Sequence, residues 1–591
     1  MAGTWQPLTH QPSFSTSTML LLTDGRVMVQ EAGTAHWHAL TPDHSGSYVN
    51  GTWSSLADMS LWRTYYASGV LKDGRVFVCG GEYSGDVKDT KKGEIYDPVS
   101  DTWTSIPQPS MLPEVGDAAC CVLPDGRVLV GALSTTACAI YDPGTNSWSS
   151  AGSTAVKSNE ETWVLQRDGT VVTVQCFPPY RGEKYVSSTN TWKNEGSPPV
   201  TLVDPVMSEI GPAMLLYNGK TIFFGAADSG GNGKTAIYTP PANPAGTGTW
   251  AAGPNIPKVG GKTIVCNDCP ASLLPNGKVL FTGAEWVNNS WGQPVLFFEY
   301  DPSTSTIAPV PTPSNNNAVL YVSRLMLLPS GEVLFSPSSN DIEVYSPDGA
   351  PQAAWRPTIA SVTPESVMPG VIDAFVVTGT QLNGLSQANL YGDDCYPATN
   401  YPLVRLRDPV TNDVTYLRTY DFSTMGVATG ASLQSCRFAP PNLPDGTYEL
   451  TVIANGISSL PFAWQFERPR KPALIDVGFK REFEHLGKII YEGDPWDRRG
   501  WVVDPEIVEL RKELRSLQNS VERLNTMIAA TELPEVGAKI GKRTAAERWE
   551  GKPTEGKSAG RTGRKAAAAD KNGGKAKRKA PTRKTRASAK K

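Results

Sequence analysis

Few side chains in this 591-residue sequence are of the kinds that bind metals or carry redox chemistry, and their spacing narrows the choice. There are five histidines. His36 and His38, in "HWH", would share one face of a strand, because side chains alternate along it. A metal would need a third ligand, and only His10 and His44 are near in sequence, so the pair reads as solvent-facing or sheet-edge histidines. Cys266 and Cys269 have the C-x-x-C spacing of a redox pair or of half a zinc site. With no second such pair and no nearby histidine, a reduced or locally bridged loop is expected. Cys395 and Cys436 can pair if the compartment is oxidising, and Cys120 and Cys121 read as strand residues. Asp393 and Asp394, in "YGDD", offer carboxylates for a lyase or hydrolase, yet neighbours on a strand point to opposite faces, which favours a turn.

The elements that must position these groups are repetitive. "TDGRVMV", "KDGRVFV", "PDGRVLV", "RDGTVVTV", "YNGKTIFF", "PNGKVLF" and "PSGEVLF" place glycines at 25, 74, 126, 169, 219, 277 and 331, a period near that of kelch repeats, about 50 residues. Asp-Gly and Asn-Gly supply positive φ for a two-residue hairpin, and the β-branched flanks are strand-like. A second phrase follows each hairpin, as in "YDPVSDTW" ending at Trp103 and "YDPGTNSW" ending at Trp148, with weaker copies ending at Ile307 and Trp355. One Tyr and one Trp per repeat suit a layer of aromatics between stacked sheets, each ring with a polar edge to satisfy. The fold expected is all-β: a seven-bladed kelch-type β-propeller over residues 1–355. Residues 356–466 carry short strand-like runs with Pro and Gly turns and no helical period, which suggests an immunoglobulin-like β-sandwich.

A kelch propeller followed by such a sandwich resembles the galactose oxidase and glyoxal oxidase family of copper radical oxidases. "WRTYYASGVLKDGRVFVCGGEY", "LYVSRLMLLPSGEVLF" and "LYGDDCYPATNYPLVRL" carry the likeness. The resemblance implies an early-set sandwich and assigns roles by position. Tyr65 stands where the family has its cysteine-linked tyrosine. Tyr83 stands where galactose oxidase has a tryptophan stacked over that tyrosine, and Tyr321 takes the place of the second tyrosine. Where the family has Tyr-His, this chain has Tyr321-Val322, and an aliphatic side chain has no lone pair for Cu(II). The sandwich histidine would fall near Tyr416, and no histidine lies between His44 and His485; residues 11–23, where the cross-linking cysteine is expected, contain none. The expectation is a pocket lined by Tyr65, Tyr83 and Tyr321, with no catalytic residue and no metal or other cofactor; copper enters only under the alternative.

Charge is divided along the chain. Residues 1–466 hold 24 Lys+Arg against 40 Asp+Glu, net −16, whereas residues 541–591 hold 18 against 4, net +14. Between them, 467–503 reads as a linker. In 504–530, Ile507, Leu510, Leu514, Leu517, Val521, Leu524 and Ile528 are spaced by alternating steps of three and four, the a/d seam of a short coiled coil, with Asp504 as N-cap and Pro505 in the first turn. Self-association follows as an expectation. Residues 531–591, rich in Lys and Ala, have little apolar bulk to bury and are expected to be a disordered basic tail. Such a tail binds nucleic acid or another polyanion by releasing counterions, with steep salt dependence; an anionic membrane surface or acidic protein is the alternative. No apolar run is long enough for a membrane span, and "MAGTWQPLTHQPSFSTST" lacks a signal-peptide pattern, so a cytoplasmic chain is expected. Together these features point to a non-catalytic binding or scaffold protein that takes a protein or glycan at its propeller loops. The alternatives are a copper radical oxidase-like enzyme making hydrogen peroxide, or an enzyme of another class on the same fold.

Overall fold

The structure, a computed structural model, describes residues 3–467 apart from 86, 228–230, 288–289, 367–372 and 391–396. Between Thr4 and Ser346 seven antiparallel sheets follow one another, an arrangement consistent with a kelch-type propeller. Blades 1 to 7 begin with the strands Thr16–Leu21, Ala67–Val70, Cys120–Val122, Val164–Leu165, Ala213–Leu215, Ala271–Leu273 and Arg324–Leu327. The first strands pack on one another from blade 1 to blade 3 and from blade 4 to blade 7, the fourth strands of blades 3 and 4 also touch, and the first strand of blade 1 contacts those of both blade 2 and blade 7, which closes a ring. The first strands are short and almost wholly buried, as strands covered on both faces must be. The fourth strand of blade 7 comes from the other end of the chain: Thr4–Pro7 pairs with Glu343–Ser346. Strand pairing, and not chain order, thus completes the last blade and ties the two ends of the ring together.

The recurring turn is one residue longer than the two-residue hairpin expected from the sequence. In blade 1, Gly25 N–H donates to the Leu22 carbonyl at 3.0 Å and Leu22 N–H to the Arg26 carbonyl at 2.8 Å. Gly25 has φ +83°. This is a three-residue loop, a type I turn closed by a left-handed glycine, and the same pair of hydrogen bonds recurs at Gly74, Gly126, Gly169, Gly219, Gly277 and Gly331. Only the glycine needs positive φ, which is why Asp, Asn and Ser all serve ahead of it.

The Tyr and Trp of the second phrase face each other across the third and fourth strands, for example Tyr96 opposite Trp103 and Tyr141 opposite Trp148. In blades 2, 3 and 5 the Trp finds its polar partner in the preceding blade: Trp103 Nε1 donates to the Ala57 carbonyl at 2.8 Å, Trp148 to Pro107 at 2.6 Å and Trp250 to Glu195 at 2.8 Å. The sequence misplaces the last member of the series. Trp5, opposite Tyr345, fills the position in blade 7 and donates to Pro311, whereas Trp355 lies in a 3-10 turn against Tyr217 and Gly277. Trp103→Phe keeps an aromatic ring and deletes one hydrogen bond across blades. A loss of about 1 kcal/mol in denaturant unfolding is expected.

After the ring, two antiparallel sheets share one core. Thr358–Glu365, Ala374–Thr380, Leu433–Phe438 and Thr419–Tyr420 form one. The other is built from Val414–Leu417, Leu403–Arg407, Gly446–Ala454, Ile457–Ser458 and Phe462–Phe466. Phe375, Phe438, Trp464 and Phe466 pack between them. This unit covers the end of the ring that carries the glycine turns: Phe422 N–H donates to the Lys72 carbonyl at 3.0 Å and Met425 N–H to Pro124 at 2.9 Å. It also reaches into the ring. Asn389–Leu390 pairs with Ala271–Ser272 of blade 6, and Gln387 Oε1 accepts from the Leu165 N–H at 2.9 Å.

Cys120 and Cys121 lie on the first strand of blade 3, and Cys266 and Cys269 are joined in a disulfide, the bridged form of the loop expected there. Cys436 is buried. Cys395, Asp393 and Asp394, the heptad residues Ile507 to Ile528 and the basic tail lie outside the described residues. Among the described residues no helix is long and apolar enough to cross a membrane.

Candidate functional site

Because the seven glycine turns all lie at one end of the first strands, the residues entering those strands lie at the other. There Tyr65, Asp117, Glu160, Glu209, Asp268 and Tyr321 enter blades 2 to 7 in succession. Each stands nine or ten residues ahead of its turn glycine, from Tyr65 before Gly74 to Tyr321 before Gly331. One residue from each of blades 2 to 7 therefore stands at the mouth of the ring. That constant offset was the available signal for the three glutamate and aspartate positions of blades 4 to 6, which belong to no motif and which sequence reading passed over.

Tyr65 and Tyr321 are brought together, their ring centroids 6.4 Å apart and nearly perpendicular at 68°. Tyr321 sits in a 3-10 turn, Leu320–Val322. Tyr65 is held at φ +49°, a conformation disfavoured for a bulky residue. Its neighbours fix it: Thr64 and Glu82 exchange backbone hydrogen bonds, with Glu82 N–H to the Thr64 carbonyl at 2.9 Å. Tyr83, also left-handed at φ +48°, points outward with 53% of its surface exposed and Lys88 5.8 Å from its ring. It is thus a rim residue, whereas Tyr65 takes its ring contact from Tyr321.

Tyr416 is not part of this group. Its ring packs against Gly25, so closely that a Cβ there would come within 2.6 Å of Tyr416 Cγ. That is the turn end of the ring, opposite Tyr65 and Tyr321. The position assigned to it by sequence is corrected accordingly: the part of the two-sheet unit that enters the ring is the segment ending at Leu390.

Arg324 was not singled out by sequence. Only 3% exposed, it opens the first strand of blade 7 and donates to the Tyr321 and Ser323 carbonyls at 2.6 and 2.9 Å. Its guanidinium carbon lies 5.9 Å from the Tyr65 ring centroid, a cation–π distance. Across the mouth, Glu160 is hydrogen-bonded to Glu209 with Asp268 close by. Burial, then these two carboxylates, hold the Glu160 carboxyl well above the usual range, so the pair keeps a proton where isolated glutamates would not.

A family profile described as Kelch motif matches residues 63–110, which include Tyr65 and Tyr83. Galactose oxidase of Gibberella zeae is 38% identical over 90 residues, 15% of this chain and 12% of that protein. Kelch-like protein terF of Aspergillus terreus is 33% identical over 91 residues, 15% of this chain and 20% of that protein. The chain carries a kelch motif and is similar to galactose oxidase and to a kelch-like protein over that stretch. The chain spans a fifth or less of the length of these relatives in the matched segments. Among solved structures, a copper-bound fungal alcohol oxidase of the AA5 family aligns over 77% of this chain and 86% of its own, at 18% identity and a TM-score of 0.33. A streptogramin B lyase aligns over 59% and 99%, at 13% identity and a TM-score of 0.41.

The tyrosine pair of this chain does not offer Cu(II) the donors it prefers. Val322 brings no nitrogen, and Arg324 places a permanent positive charge beside the phenols. The four described histidines are committed elsewhere: His36 to Asp58 at 2.9 Å, His38 to Glu31 at 3.4 Å, His44 to Asp413 at 3.1 Å and His10 to the Gly51 carbonyl at 3.0 Å. Among the described residues no three His, Cys, Asp or Glu side chains converge as a metal-binding set.

Proposed function

We propose that this chain is a non-catalytic kelch-propeller binding protein, with its ligand site at the mouth rimmed by Tyr65, Tyr83, Tyr321 and the carboxyls of blades 4 to 6. The observation that carries this reading is Arg324 beside Tyr65, with Val322 next to Tyr321: a permanent cation lies at the tyrosine pair, and an aliphatic side chain stands where the resemblance puts a copper-binding histidine. Exposed Tyr83 and Trp62 next to acidic groups offer flat apolar faces and hydrogen-bond acceptors, the chemistry by which proteins hold glycans or peptide segments.

In the same reading, residues 1–355 are the seven-bladed propeller and 356–466 an immunoglobulin-like sandwich that caps it. Residues 467–503 connect them to a coiled-coil helix at 504–530, where Ile507, Leu510, Leu514, Leu517, Val521, Leu524 and Ile528 drive self-association. The basic residues of 541–591 supply a salt-sensitive contact to nucleic acid or another polyanion.

The test is copper loading followed by metal analysis and a peroxide assay on simple alcohols and aldehydes, run beside a glycan and peptide binding screen. The expected result is no stoichiometric copper, no peroxide, and binding that Tyr65→Ala or Tyr321→Ala weakens at least tenfold. One copper per chain with peroxide production would replace this reading with the oxidase one.

A further inference from the structure

The loop that delivers Asp268 to the mouth is built differently from its counterparts in the other blades, because it alone is bridged by a disulfide among the described residues. Cys266 and Cys269 are three residues apart with Cα atoms at 5.4 Å, and both are fully buried. Between them Asp268 is held at φ +53°. The backbone of this loop is pressed against that of the loop carrying Glu209. Asp268 N–H donates to the Ile210 carbonyl at 3.0 Å, Cys266 N–H to the Gly225 carbonyl at 3.2 Å, and a Cβ on Gly211 would come within 2.0 Å of the Cys266 oxygen. Two of the mouth's carboxyl-bearing loops therefore share one rigid contact, and the bridge fixes its geometry.

We propose that the Cys266–Cys269 disulfide is a redox-sensitive clasp that holds Asp268 against the Glu209 loop, so that its reduction loosens the mouth at blades 5 and 6 while the ring stays folded. A bridge across so short a loop restrains the unfolded chain less than a long-range one would, and its effect is accordingly local. The reductant is a dithiol. One of its thiolates attacks a sulfur of the bridge to form a mixed disulfide, which its second thiol resolves. The protein disulfide gains two electrons and two protons to become two thiols, and the reagent becomes its own disulfide. The other described cysteines, Cys79, Cys120, Cys121, Cys138, Cys176 and Cys436, are buried, and among them burial pushes up the thiols of Cys79 and Cys121 to about 12. Buried, protonated thiols are poor partners for exchange with the bridge.

The clasp does not depend on which ligand the mouth takes, and its test needs none. Hydrogen exchange of the full-length protein is followed by mass spectrometry with and without dithiothreitol, alongside iodoacetamide labelling. The expected result is labelling of Cys266 and Cys269 only after reduction. Exchange at the amides of Cys266 and Asp268 should be at least tenfold faster, with the strands Ala213–Leu215 and Ala271–Leu273 unchanged. Cys266→Ser/Cys269→Ser should reproduce the reduced pattern without reductant. Unaltered exchange after reduction, both thiols labelled before it, or acceleration throughout the ring would each overturn the proposal; the last would mark the bridge as a general staple.

Discussion

Replacing Lys184 with methionine is expected to cost about 3–5 kcal/mol of unfolding free energy, because it strands a carboxylate in the interior. Lys184 and Glu195 are each 1% exposed, with Nζ and Oε1 2.5 Å apart. Glu195 also accepts from the Tyr238 hydroxyl at 2.9 Å and the Gly248 N–H at 2.6 Å, and Lys184 donates to the Gly246 carbonyl at 2.8 Å. The network joins the third and fourth strands of blade 4 to the outer hairpin of blade 5. Removing the ammonium leaves neutral donors that cannot balance the charge. Adding Glu195→Gln should recover most of the loss, since a neutral amide no longer needs a counter-charge. Denaturant midpoints of the single and double variants measure this, and a double variant as unstable as Lys184→Met would argue that packing, and not charge, sets the cost.

Glu161→Gln is expected to change the pH dependence of stability more than stability itself. The carboxyl is 1% exposed, with the Trp163 indole N–H donating to it at 3.3 Å. Burial pushes its pKa up to about 8, with Glu183 adding repulsion, from an ordinary value of 4.5. Below pH 4.5 both folded and unfolded chains hold the proton, and the burial penalty is absent. Between 4.5 and about 8 the unfolded chain releases it while the folded chain keeps it, so stability falls as pH rises; above about 8 the full penalty remains. The glutamine variant lacks this slope. Relative to the parent it should gain on the order of 3–5 kcal/mol between pH 4 and pH 9. Unfolding curves across that range would show parallel profiles if Glu161 were ionised in the folded protein throughout.

The position of Glu161 beside Glu160 illustrates what one sequence conveys and what it hides. Two adjacent glutamates look alike on paper. In the ring one lies beside Glu209 and the other is buried against Trp163, at the turn that leads into the first strand of blade 4. Tyr65 and Tyr321 were legible through the family resemblance, because they stand in the phrases that carry it. Arg324 was not, since nothing local announces that the start of a buried strand will aim a guanidinium at a tyrosine 259 positions away in the chain. Tyr416 was misplaced for a related reason: which segment of the two-sheet unit enters the ring depends on the pairing of Asn389–Leu390 with blade 6.

By itself, the sequence determined the period of the repeat, the seven glycine turns, the Tyr and Trp of most outer hairpins and the lack of histidine between His44 and His485. These are local matters of φ preference, strand alternation and side-chain chemistry. Tertiary structure alone decided that Trp5, and not Trp355, completes the last blade, that the loop entry points of blades 4 to 6 bring their carboxyls together, and that the loop carrying Asp268 hydrogen-bonds to the one carrying Glu209. Closing a ring brings residues some fifty positions apart to one rim and joins the chain's first strand to its last blade. That closure is a property of how the sheets stack, and no window of sequence contains it.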